Sequence, residues 1–263
     1  MKAKINGLEL AYEINGSGEP LVLLHAFPLN KGMWQPQVEV LSKQFQIIIP
    51  DFRGFGESAA TADPATMDTL AADVYALLNH LSLSKVVLGG LSMGGYVAFA
   101  FYRQHPEMVK ALILADTRAE ADTAEGKANR RNMAELALKQ GAAVIAEQMT
   151  PKLLGKTTQE KHPDLSTWIK QMISATSPKA IANAQLGMAK RSDSTPLLKK
   201  ISCPTLILVG DEDLLTPVAF AENLHRGISN SQLVVIPKAG HLSNLEQPRL
   251  FNKAMRDFVT SPP

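Results

Sequence analysis

The chain has 263 residues, is 45% apolar and carries a formal net charge of +2, enough for one large domain with a substantial core. No apolar run reaches the roughly 20 residues of a membrane span, the first residues lack an apolar signal segment, and no basic cluster offers nucleic acid a surface. Cys203 is the single cysteine, so an internal disulfide is excluded and a reducing, cytoplasmic compartment is expected.

Residues 8–14 alternate in hydrophobicity as a half-buried strand does, and residues 21–24 form a short apolar strand. The link between them, Asn15-Gly16-Ser17-Gly18, is a turn, so the sheet is expected to begin with an antiparallel hairpin of these two strands. Residues 46–49 are the next apolar strand. Residues 68–81 carry Leu70, Val74, Leu77, Leu78 and Leu81 at helical spacing. A strand over 86–88, a helix over 95–104 and a strand over 111–114 follow. Alternation of this kind gives a parallel sheet covered by helices on both faces.

The alternation then stops. Residues 118–195 contain no convincing strand and read as helices over 129–140, 142–149, 167–175 and 178–189, with four of the ten methionines (Met133, Met149, Met172, Met188). The expected organisation is a core of 1–117 and 196–263 with a helical cap or lid of 118–195, placed over the carboxyl ends of the strands. Strand and helix resume at 205–209, 217–224, 233–236 and 249–259, with Thr216 as the expected N-cap before Pro217.

Candidate chemistry centres on residues 85–96, KVVLGGLSMGGY. A G-x-S-x-G pattern between a strand and a helix holds its serine on a strained turn, with the hydroxyl above the sheet and the first helix amides beside it. Ser92 is therefore the candidate nucleophile. A serine needs a base, and the base needs an orienting acid. His241 follows the last strand in a Gly-His turn, on the rim where Ser92 emerges. His80, His105, His162 and His225 read as surface residues, and His25 as a structural histidine bracing its loop. Asp213, in the loop after residues 205–209, is the preferred acid. Asp211, expected to tie down its turn through backbone amides, and Asp116, one strand earlier, stay as alternatives. The expected oxyanion donors are the backbone N–H groups of Met93 and Phe27. Cys203 reads as an inert, buried thiol.

Together these residues resemble the α/β-hydrolase family over nearly the whole chain. His25-Ala26-Phe27-Pro28 is similar to its H-G-x-P loop, and residues 51–58, DFRGFGES, to its D-x-R-G-x-G-x-S turn. Gly90–Gly94 is similar to its nucleophile elbow and Gly240-His241 to its histidine motif. Ala26 departs from the usual glycine, which bears on the geometry of the Phe27 donor. The resemblance implies architectural roles for Asp51, Arg53 and Ser58. It excludes the branches that use an aspartate nucleophile. Phe27-Pro28-Leu29 with Met33-Trp34 looks like the oxyanion loop of cofactor-free perhydrolases and aryl esterases, which implies substrate contact at Trp34. Residues 239–248 look like the tail of 3-oxoadipate enol-lactonases.

The implied function is a serine carboxylester hydrolase of small or medium acyl esters, working without metal or organic cofactor on a small-molecule ester or lactone. Lactonase or perhydrolase activity are alternatives within that chemistry, as are C–C bond hydrolysis and hydroxynitrile lysis. A ligand-binding or signalling protein that keeps the fold is the alternative outside it.

Overall fold

A computed structural model describes residues 1–260. The N-terminal half comprises β1 (Lys2–Ile5), β2 (Leu8–Asn15), β3 (Glu19–Leu24), α1 (Gln35–Leu41), β4 (Phe45–Pro50), α2 (Met67–His80), β5 (Val86–Leu91), α3 (Met93–Gln104) and β6 (Val109–Ala115). Six helices then run without a strand: α4 (Ala124–Gln140), α5 (Ala142–Leu153), α6 (Lys156–Lys161), α7 (Pro163–Ser174), α8 (Pro178–Ala189) and α9 (Thr195–Leu198). The chain closes with β7 (Thr205–Gly210), α10 (Val218–Gly227), β8 (Ser231–Ile236), α11 (Ser243–Glu246) and α12 (Pro248–Thr260).

The strands form one eight-stranded sheet in the order β1-β2-β4-β3-β5-β6-β7-β8. β2 is antiparallel to both of its neighbours, and the rest of the sheet is parallel. β5 and β7 are buried along their whole length, as expected of central strands covered by helices on both faces. That is why they read as continuous apolar runs rather than alternating ones.

The expected hairpin is corrected in one respect. β4 lies between β2 and β3, so those two strands share no ladder. The true hairpin joins β1, which the sequence reading missed, to β2 through Asn6-Gly7, with Ile5 opposite Leu8. Both turn residues have positive φ, 47° and 81°, the geometry a two-residue hairpin loop needs to match strand twist. The short helices α1, α6, α9 and α11 were also not foreseen; each is too brief to show a helical period.

Helix boundaries follow local chemistry. Thr66 caps α2 by accepting from Thr69 N at 3.1 Å, and Thr123 caps α4 by accepting from Gly126 N at 3.1 Å. Thr216 does not cap α10. The residue preceding that helix is Pro217, and the Thr216 hydroxyl donates to the Asp213 carboxylate at 2.6 Å.

The D-x-R-G-x-G-x-S turn is held from both ends. The buried Asp51 carboxylate accepts from Lys31 N at 2.7 Å, Lys31 Nζ at 2.9 Å and Glu57 N at 3.0 Å. Ser58 donates to Asp51 O at 2.7 Å and accepts from Ala11 N at 2.8 Å, which ties the turn to β2. Arg53 binds Asp73 of α2 through Nε and Nη2 at 2.7 and 2.6 Å. No helix among the described residues is long and apolar enough to cross a membrane.

Candidate active site

Ser92 stands between β5 and α3 with φ 55° and ψ −112°, a strained conformation for a residue with a Cβ. The flanking glycines are required by close approach. A Cβ on Gly90 would lie 2.2 Å from Gly94 O, and one on Gly94 would lie 2.2 Å from Leu24 O at the end of β3. The turn is also anchored sideways: Ser92 N donates to Ala115 O at 2.9 Å, and Thr117 Oγ1 donates to Ser92 O at 2.9 Å.

Ser92 Oγ lies 2.7 Å from His241 Nε2, and His241 Nδ1 lies 2.8 Å from Asp213 Oδ2. Both His241 and Asp213 are buried. The Asp213 carboxylate also accepts from Leu215 N at 2.8 Å and Thr216 N at 3.0 Å. Burial disfavours its charge, but His241 and the Thr216 hydrogen bonds outweigh that and hold it down to about 2. Burial likewise disfavours the His241 imidazolium, yet the Asp213 charge and hydrogen bond raise the imidazole above its ordinary value.

The other two aspartates are engaged differently. Lys238 N donates to Asp211 Oδ1 at 2.7 Å, so Asp211 fixes a turn. Asp116 is fully buried at the end of β6, where its Oδ1 accepts from Gly210 N at 2.9 Å and its Oδ2 meets Ser243 Oγ at 2.5 Å. Asp116 thus links the loop bearing Asp213 to the loop bearing His241 without touching the imidazole ring. Burial, with the Asp213 charge beside it, lifts its carboxyl well above the usual range. Glu246 also went unrecognised in the sequence. Its Oε1 accepts from Gly240 N at 2.9 Å and Leu242 N at 3.2 Å, and its Oε2 from Gly155 N at 2.8 Å. It fixes the histidine loop and joins it to the α5–α6 connection. Glu246 falls within the 239–248 stretch singled out in the sequence, but spacing there says nothing of the distant Gly155 amide it binds.

Among the described residues, neither Phe27 N nor Met93 N donates to a protein acceptor, and Phe27 lines the cavity that contains Ser92. Two neighbours shape this loop. His25 Nε2 accepts from Phe52 N at 3.0 Å and its Nδ1 faces Ala26 O at 2.9 Å. Burial lowers the His25 imidazole to about 4, so it is neutral at ordinary pH. Ala26 is fully buried, and its N donates to Met33 Sδ at 3.1 Å.

Trp34 is the residue the structure takes away from the site. It closes a short 3₁₀ turn (Lys31–Trp34), is 1% exposed, and packs on Phe251 of α12 with ring centroids 6.2 Å apart. Trp34 is not among the residues that line the cavity containing Ser92.

The cavity above Ser92 encloses about 240 Å³. Its floor includes Phe27, Ser92, Tyr96, Leu215 and His241. Its far wall comes from the helices between β6 and β7: Asn129, Arg130 and Met133 on α4, Met149 and Leu153 on α5, and Gln185 and Met188 on α8. Arg118 and Asp122, between β6 and α4, complete it. Met172 does not reach it. Cys203 is half-buried, its thiol pushed up to about 11 by burial, which suits an inert side chain.

Known proteins share this architecture. A thermophilic esterase from Thermogutta terrifontis, solved with malate bound, matches with a TM-score of 0.96 and 47% identity over 98% of this chain and 97% of its own. The enol-lactonase of Burkholderia xenovorans LB400 matches with a TM-score of 0.93 and 29% identity, over 99% of this chain and 100% of its own. The 3-oxoadipate enol-lactonase 2 of Acinetobacter baylyi is 31% identical over 89% of this chain and 86% of its own length. The sequence profile described as "alpha/beta hydrolase fold" matches residues 19–248, and the chain belongs to that family.

Proposed function

We propose that this ester-bond hydrolase is a serine carboxylesterase that also admits lactones, acting on small or medium acyl groups through an acyl-enzyme. Ser92 Oγ attacks the carbonyl carbon while His241 Nε2 takes its proton. The tetrahedral oxyanion is met by the N–H groups of Phe27 and Met93, a contribution of about 2.7–4 kcal/mol per donor in enzymes of this kind. His241 returns the proton to the leaving alcohol, then removes one from the water that frees the acyl group. Asp213 keeps the imidazole oriented and stabilises its charged form. Residues 118–195 act as a cap that sets the size of the acyl group. The relatives named as esterases and enol-lactonases support the reaction class.

The observation that carries this reading is the unbroken line from Ser92 Oγ through His241 to Asp213, at 2.7 and 2.8 Å, opening into a small cavity. Ser92→Ala is expected to abolish hydrolysis of p-nitrophenyl butyrate and labelling by a fluorophosphonate, with an unchanged circular dichroism spectrum. Labelled or active Ser92→Ala protein would refute it. The lactone branch is tested with a panel of lactones against p-nitrophenyl esters of increasing length.

A further inference from the structure

A cavity shaped only for a neutral acyl chain has no use for guanidinium groups on its wall. This one has two, Arg118 and Arg130. Arg118 follows Thr117, whose hydroxyl binds the Ser92 carbonyl at 2.9 Å, and it lines the same cavity as Ser92. Its Nη2 donates to Asp122 Oδ1 at 2.8 Å. Among the described residues its Nη1 has no protein acceptor, and the side chain is 24% exposed.

Asp122 is not Arg118's alone. The same carboxylate takes Arg130 Nε and, at 2.5 Å, Arg191 Nη1, so one acid serves three guanidinium groups. Arg130 is further committed to Gln185 Oε1 at 3.1 Å. The nearby acid Glu120 accepts from Asn223 Nδ2 at 3.1 Å and does not line the cavity. Even if it is counted, the cluster keeps excess positive charge. Facing a confined, largely apolar space, such a charge favours an anion, and a guanidinium with a free edge favours a carboxylate.

We propose that Arg118 anchors a free carboxylate on the substrate, so that the preferred substrates are half-esters of small dicarboxylic acids. The proposal rests on the esterase reading of the site and narrows it. Asp122 and Arg130 hold the anchor in place, and Ser92 works on the far, esterified carbonyl.

The test compares monomethyl glutarate with methyl pentanoate in a pH-stat, and separately measures glutarate binding to Ser92→Ala protein by calorimetry. The expected results are a kcat/KM about tenfold or more higher for the half-ester, a fall of about tenfold in that ratio in Arg118→Gln, partial retention in Arg118→Lys, and weakening by salt. Glutarate is expected to bind Ser92→Ala and to be lost from the Ser92→Ala/Arg118→Gln double variant. A wild-type preference for the neutral ester, an unchanged ratio in Arg118→Gln, or no glutarate binding to folded Ser92→Ala would overturn the proposal. Glutarate binding with turnover of neither ester would overturn the esterase reading and leave the anion site standing.

Discussion

Three aspartates stand on the rim where Ser92 emerges, and only their hydrogen bonds separate their duties. Asp213 meets the imidazole at 2.8 Å, Asp211 meets a backbone amide, and Asp116 meets Gly210 N and Ser243. The difference predicts unequal responses to the same change. Asp213→Asn removes the charge that orients and stabilises His241, and kcat is expected to fall by about 10⁴. Asp116→Asn keeps a neutral group able to bond both of its partners, and the loss is expected to stay below about tenfold. Steady-state kinetics on p-nitrophenyl butyrate decides; equal losses would reassign the acid. The pH profile gives a second measure. His241 accepts a proton only when neutral, and Asp213 raises its ordinary value. Activity should therefore fall with acidity below a midpoint above about 6.5, and Asp213→Asn should move that midpoint down. The residue types were legible in the chain. The choice among three candidate acids was not, because spacing along one loop says nothing about which carboxylate faces a ring supplied by another.

At the scale of elements, Asp122 ties the exit of β6 to α4 and to the end of α8 through Arg118, Arg130 and Arg191. Burial raises its carboxyl, but Arg130 and Arg191 outweigh that and hold it down to about 2. The sign of the linkage is that of a depressed acid. The stabilisation is present above the unfolded value of about 3.9 and is lost as pH falls toward about 2. Hydrogen exchange in α4 and α8 should accelerate over that window before the sheet opens. Asp122→Ala leaves three guanidinium groups facing one another, and a loss of about 3–5 kcal/mol is expected in denaturant unfolding. A loss confined to a few tenths would show that the arginines are balanced elsewhere. Helix α4 was readable from its residues, but its partners were not: Asp122 and Arg191 are far apart in the chain and meet only after α8 packs on α4.

For the whole molecule, two buried histidines shape stability in opposite directions. His25 is lowered to about 4 by burial, so the folded state binds fewer protons than the unfolded chain between about 4 and 6.5, and stability rises with pH across that range. His241 is raised, so its contribution is complete below about 6.5 and is lost as pH rises through its folded value. His25→Gln is expected to flatten the acid side of the stability curve and leave the alkaline side, read as urea midpoints across pH. An unchanged acid slope would place its origin elsewhere.

The fold class and the order of the motifs could be read directly from the chain. A strand buried on both faces must be apolar throughout, a strand-to-helix turn carrying a serine must be flanked by glycines, and each requirement acts within a few residues. What lay beyond reach depended on partners distant in sequence. β4 enters between β2 and β3, Trp34 turns to Phe251, Glu246 reaches Gly155, and three arginines converge on Asp122. Those meetings are settled by the packing of whole elements, and packing is where a charged cavity can arise from residues that look like ordinary helix surface.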